Sequence, residues 1–331
     1  MSKITAWEQI KTQMDAGKTV ELQQAIAVFR EASSNEDGYY SENDHLAELE
    51  QLFLIPDLQW TGPSASFHNL AVSFSRADKN RSACNVLERG LAMYPASVDL
   101  LADYLKYGTE DGRWEVCSKC YDTLQSLGMD SWNWRAYSFS IDYLLEMRER
   151  TLCSVERDGL RSKVLDLAKR FVAKQKSDLA YFDLANVHRM LNEKTAEETI
   201  LKRATDSNHF FPRCSLRLAD IAISRGDYPL ALKRLKVCQV ALKPQADINP
   251  SYVYGLNALC KSSLLIGQIL EDEGEFKVYR PQAESIYKDY NTAVAIGLDE
   301  IMKKTLQAVV AVIENQTGVK NSVGQIDASD F

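Results

Sequence analysis

Two cysteines spaced as Cys117-Ser118-Lys119-Cys120 are the most chemically suggestive group in this 331-residue chain. A structural zinc site needs four ligands, and no second C-x-x-C or H-x-x-x-H follows. A redox pair of this spacing normally opens a helix after a strand, whereas these cysteines fall inside a helical pattern, where Cys117 takes a small core position. His45, His68, His188 and His209 are too scattered to form a local ligand set. No phosphate-binding glycine loop, G-x-S-x-G, H-E-x-x-H or kinase signature is present. The expectation is therefore no enzyme activity, no metal and no cofactor. Paired arginines one helical turn apart, Arg213 and Arg217, suit a different task, since together they can hold a carboxylate by charge-assisted hydrogen bonds.

Side chains of this kind act only where helices place them, and the helices recur. In the run beginning at Ala65, Phe67, Leu70, Ala71 and Phe74 mark one helix face, Ala83, Leu87 and Gly90 a second, and Pro95 closes the pair. Small residues at 71 and 83 let two antiparallel helices approach, while the large ones fill the space around the contact. A second copy places Leu218, Ala219 and Ala222 before a Gly226-Asp227-Tyr228 turn, with Ala231, Leu235, Cys238 and Pro244 after it. Weaker copies lie between, pairing Leu101, Tyr104 and Leu105 with Cys117, Tyr121 and Leu124, then Trp134, Tyr137 and Ile141 with Val164, Ala168 and Phe171. A last one pairs Tyr181, Leu184 and Ala185 with Leu201 and Ala204, and residues 148–158 form an insertion in the copy before it.

This spacing resembles the tetratricopeptide repeat. The resemblance implies an all-α fold, an α-solenoid of tetratricopeptide-like helix pairs forming a right-handed superhelix. Residues 1–60 are expected to form an amino-terminal helical cap or degenerate repeat, 61–249 the central repeats, 250–313 a long helix pair with a capping helix, and 314–331 a disordered tail. Essentially no sheet is expected.

In such repeats the first helix of each pair lines a concave groove. Carried onto this chain, the groove positions are His68, Asn69, Val72 and Arg76, then Asp103 and Lys106, then Trp132, Ala136, Phe139 and Tyr143. Phe182, Asp183 and Asn186 follow, with Arg213, Arg217 and Asp220 last. Trp132, Phe139 and Tyr143 are expected as exposed aromatic anchors off the Trp134–Tyr137–Ile141 core face, flanked by Asn186, Arg213 and Arg217. The arginines partly resemble the carboxylate clamp of chaperone-binding members of the family, with Phe182 standing where that clamp carries lysine. The resemblance implies a protein–protein interaction scaffold or adaptor, with a short-peptide sensor or an accessory subunit of an enzyme complex as alternatives.

Composition narrows the partner. The apolar fraction of 45% and charged fraction of 26% are those of a chain with a sizeable core. A net charge of -7 and a pI near 5.3 argue against general nucleic-acid binding or attraction to anionic membranes, so a protein or peptide partner is expected. The amino-terminal sequence lacks an uninterrupted apolar core, and seven scattered cysteines read as reduced thiols, so a cytoplasmic location without membrane insertion is expected.

Overall fold

Helix starts and stops are written locally. The side chain of Asn133 accepts a hydrogen bond from the Ala136 N–H at 3.0 Å, and that of Ser177 accepts from Ala180 at 3.3 Å, each satisfying an orphan donor of a first turn. Thr5 and Glu8 close a capping box at the first helix. The computed structural model describes residues 5–17, 19–33, 44–55, 57–208, 210–241, 248–271 and 279–321.

Sixteen α-helices follow in these residues. The first three are α1 (Ala6–Asp15), α2 (Leu22–Ser33) and α3 (Asp44–Phe53). Five pairs come next: α4 (Ser64–Arg76) with α5 (Asn80–Met93), α6 (Val98–Glu110) with α7 (Trp114–Leu127), α8 (Trp134–Arg150) with α9 (Ser154–Lys174), α10 (Asp178–Met190) with α11 (Lys194–Ser207), and α12 (Pro212–Ser224) with α13 (Tyr228–Ala241). The chain ends in α14 (Pro250–Glu271), α15 (Arg280–Ile296) and α16 (Glu300–Thr317). Its contacts divide into two compact units, residues 1–171 and 172–331.

The pairs repeat in length as well as order. α4, α6, α10 and α12 each have 13 residues, and their partners each have 14. α4 starts at residue 64 and α6 at 98, α10 at 178 and α12 at 212, so both successive starts are 34 residues apart. One turn geometry joins the helices of all four pairs. A left-handed residue follows each first helix, namely Asp78, Gly112, Asn192 and Gly226. The next N–H then returns five residues: Lys79 to Phe74 O at 3.0 Å, Arg113 to Gly108 O at 2.7 Å, Glu193 to His188 O at 2.8 Å and Asp227 to Ala222 O at 2.9 Å. The α8–α9 pair departs from this: Thr151 closes α8 with extended backbone, and both helices are longer, at 17 and 21 residues. The insertion expected at 148–158 is thus a lengthened hairpin.

In the first unit Phe29, Phe53, Trp60 and Phe74 form an aromatic core, Phe53 stacking on Trp60 with centroids 4.0 Å apart. A two-residue parallel pairing, β1 (Val20–Glu21) with β2 (Trp60–Thr61), is the sheet found among the described residues, a small addition to the helix-only expectation. Arg89 secures the nearby loop by donating to the carbonyls of Phe53, Ile55 and Leu58 at 2.6–3.0 Å.

In the second unit successive cores run from α10 through α12 to α14–α16. α14 is long and apolar enough to cross a bilayer, but its buried side chains pack against α13, α15 and α16. α16 continues past the Ile313 expected as its end, and residues beyond it are anchored: Tyr287 Oη donates to Val319 O at 2.8 Å, and the side-chain amides of Asn291 and Asn321 exchange bonds at 2.9 and 3.2 Å. Disorder from 314 is therefore corrected up to 321. Residues 34–43, the histidine at 209 and the last ten residues are among those outside the described residues.

Candidate partner-binding clefts

Each unit carries a cleft between successive first helices. In the first unit α6 supplies Leu105, Lys106, Thr109 and Glu110, and α8 supplies Phe139, Asp142, Tyr143 and Glu146, around about 320 Å³. The Lys106 ammonium lies 5.3 Å from the Phe139 ring centroid, a cation–π contact. Asp142 keeps an outer edge in water, yet the cleft wall desolvates its carboxyl and pushes it up to about 6, with Glu146 and Glu110 adding to the rise and Lys106 opposing it.

The aromatic anchors expected here require correction. Trp132 is only 2% exposed, its indole Nε1 donating to Leu124 O at 2.9 Å, and Tyr143 is 4% exposed, its ring tilted against Tyr121 at 5.5 Å. Ala136 is fully buried, whereas Trp134, expected in the core, is 42% exposed beneath the Arg135 guanidinium. Two physical reasons account for this. Trp132 precedes α8 on extended backbone, so helical spacing does not govern where it points. α8 also packs against α6, which widens its buried face beyond that of an isolated helix pair. Phe139 and Tyr143 both line the cleft, but of the three only Phe139 is partly exposed.

On α4, Asn69 and Arg76 are exposed as expected. His68 is half-buried and bonds Asp103, which is 1% exposed; these two groove positions are consumed by each other rather than offered to solvent. Burial pushes the Asp103 carboxyl up, and His68 opposes it.

The second unit's cleft, of about 310 Å³, gathers Phe182, Asn186 and Arg189 from α10, Glu197 from α11, Arg213, Leu216, Arg217 and Asp220 from α12, and Ile248 from the segment before α14. Asn186, Arg213 and Arg217 are thus brought together, as the sequence suggested. Most polar groups on this wall are held by hydrogen bonds to neighbours. Arg217 Nε donates to Glu197 Oε1 at 2.7 Å, Arg189 donates twice to Asn186 Oδ1 at 3.0 and 2.6 Å, and Tyr252 Oη donates to Asp220 at 3.2 Å. Burial raises Asp220 above its ordinary value, with Tyr252 and Arg217 opposing. The amino end of α12 is already occupied: Asp178 accepts from the backbone N–H groups of Arg213 and Cys214 at 2.8 and 3.1 Å. The positive charge on this cleft's wall is therefore that of its arginine side chains.

Arg189, Leu216 and Ile248 were not anticipated. Arg189 was legible as the residue one turn beyond Asn186, but Ile248, outside any helix, shares the cleft and an apolar cluster with Leu216 only through long-range packing. Cys117 and Cys120 serve packing. Both are buried, Cys117 Sγ approaches Tyr104 O at 3.7 Å, and burial pushes the Cys120 thiol up to about 12.

No family model and no curated protein matches the sequence. Among solved structures, a tetratricopeptide repeat protein from Parabacteroides merdae is 14% identical over 92% of this chain and 99% of its own, with a TM-score of 0.47. A thermophilic protein of the same type from Thermus thermophilus is 17% identical over 61% of this chain and 100% of its own, with a TM-score of 0.46. The 34-residue period, the 13- and 14-residue helices and the shared turn are the chain's own testimony: it is an all-α protein built of stacked tetratricopeptide-type helix pairs.

Proposed function

We propose that this protein is a non-enzymatic interaction scaffold or adaptor that holds a segment of a partner protein against its first helices. The observation that carries the reading is the second unit's cleft, where the half-buried Phe182 and Leu216 provide apolar surface, with the buried Ile248 in the wall, beside Arg189, Arg213 and Arg217. Apolar surface supplies affinity and fixed charges select the partner, a combination suited to a polypeptide carrying both apolar and acidic side chains. A reducing, cytoplasmic setting fits seven free cysteines, six of them buried.

Panning a phage-displayed library of random peptides against the full chain tests this. Enriched peptides should pair acidic with apolar residues and lose about tenfold or more in affinity for the Phe182→Ala, Arg189→Glu variant, a loss of about 1.4 kcal/mol. Peptides that bind wild type and variant alike, or a library that yields no binder, overturn it.

A further inference from the structure

The first unit's cleft gathers charges that its own side chains leave unmatched. α8 alternates rings and acids in Phe139, Asp142, Tyr143 and Glu146, and α6 adds Lys106 and Glu110, around about 320 Å³. One Glu110 oxygen accepts from Asn80 Nδ2 at 2.9 Å. Among the described residues, Asp142 and Glu146 accept no hydrogen bond from a protein group. The Lys106 ammonium lies against rings instead, 5.3 Å from the Phe139 centroid and 5.7 Å from that of Tyr107. Three carboxylates thus accompany one ammonium beside a partly exposed aromatic face. Desolvation pushes the Asp142 carboxyl up to about 6, and a cation seated beside it would restore its charge.

The same unit shows what such a setting holds. At the start of α8 the Arg135 guanidinium lies 5.0 Å from the Trp134 ring centroid and donates to Asp99 Oδ1 of α6 at 3.2 Å. One guanidinium is thereby shared between a ring from α8 and a carboxylate from α6. Arg150 lies 4.2 Å from the ring centroid of Trp114 on α7, and Arg148 pairs with Glu149. The arginines of α8 are therefore engaged away from Asp142 and Glu146. A guanidinium suits the vacant position better than an ammonium, because it is weakly hydrated, stacks flat on a ring and offers a fork of donors to carboxylates.

We propose that the α6–α8 cleft receives an arginine side chain of a bound polypeptide, its face on Phe139 and its donors on Asp142 and Glu146. The pocket stands apart from the second unit's cleft, and only the polypeptide source of the arginine rests on the scaffold reading. An acid-rimmed pocket disfavours the carboxylate of a free amino acid, so the arginine it takes has that group in a peptide bond.

The probe is N-acetyl-arginine amide, titrated into the full chain while saturation-transfer NMR reads magnetisation passed to its side-chain methylenes. Asp142→Asn with Glu146→Gln should weaken binding about tenfold or more, and Phe139→Leu, which keeps apolar volume without the ring, should weaken it too. Both acids are exposed, so the core stays intact, and circular dichroism checks it. Lys106→Met removes the resident cation and should tighten binding about threefold or more, a gain that damage to the fold does not mimic. The same change of net charge made at exposed positions of the second unit, Asp206→Asn with Glu271→Gln, should leave the affinity unaltered. Absence of saturation transfer in wild type overturns the proposal, as does a Lys106→Met variant that gains nothing. A loss equalled by the second-unit charge variant would assign binding to net charge and overturn the pocket. N-acetyl-lysine amide bound as tightly as the arginine probe overturns the guanidinium assignment, and free L-arginine bound more tightly overturns the polypeptide source. A peptide library that yields no binder, while the probe still depends on Phe139 and Glu146, would remove the scaffold reading and leave the guanidinium pocket standing.

Discussion

His68 and Asp103, 35 residues apart in sequence, join two successive first helices through a direct Nδ1–Oδ2 contact between α4 and α6. A buried carboxylate left without its partner carries a desolvation penalty, so His68→Ala should destabilise the protein by about 1–3 kcal/mol in urea titration. The Asp103→Asn, His68→Ala double variant should show a coupling above about 0.5 kcal/mol. Additive effects of the two changes would mean that the pair contributes nothing to joining the helices.

Trp132 and Phe139 were expected to act alike and should now diverge. Trp132→Ala empties a core position and leaves Leu124 O without its indole donor, for an expected loss of about 3–5 kcal/mol. Phe139→Ala should cost clearly less, because its ring is half-exposed over the cleft. Equal losses in the two denaturation midpoints would return both residues to one class.

Gly90 lies where three helices converge. A Cβ there would stand 2.9 Å from Phe67 Cγ on α4 and 3.0 Å from Leu100 Cδ1 on α6. Gly90→Ala should therefore destabilise by about 1–3 kcal/mol through overpacking. Gly267, inside α14, has nothing within 4 Å of such an atom, and Gly267→Ala should instead stabilise by about 0.5–1 kcal/mol through lower unfolded-state entropy. Melting temperatures of the two variants should move in opposite directions, and a shared sign would contradict the packing described.

Glu198 binds Arg225 through two bonds, at 3.0 and 2.6 Å, and Lys202 at 2.8 Å. These hydrogen bonds hold its carboxyl down at about 2 against an ordinary 4.5. The folded value lies below the unfolded one, so this contribution is present above pH 4.5 and is lost as pH falls through about 2. Wild type should exceed Glu198→Gln in urea midpoint at pH 7, and the gap should close on acidification. A gap independent of pH would assign the difference to packing.

The amino-acid sequence by itself determined the helices, their pairing and much of the core, because those follow from near-neighbour spacing. Phe67, Leu70, Ala71 and Phe74 on one helix, with Ala83, Leu87 and Gly90 on the next, are buried as their periodicity requires. Gly226 was legible as a left-handed turn, since glycine adopts that conformation without a Cβ penalty. Asp78 and Asn192 make the same turn at φ 55° and 59° without that signature, so the recurrence emerged only in the backbone. Tertiary structure decided what each first helix leaves exposed. A helix in a stack meets the preceding pair as well as its own partner, and these further contacts set Tyr143 against Tyr121 of α7 and join Asp103 to His68. Spacing within one helix carries no record of that contact. Arg213 and Arg217 were legible by their periodicity, but the apolar part of their cleft brings Ile248 together with Leu216, a long-range packing choice that no local pattern encodes.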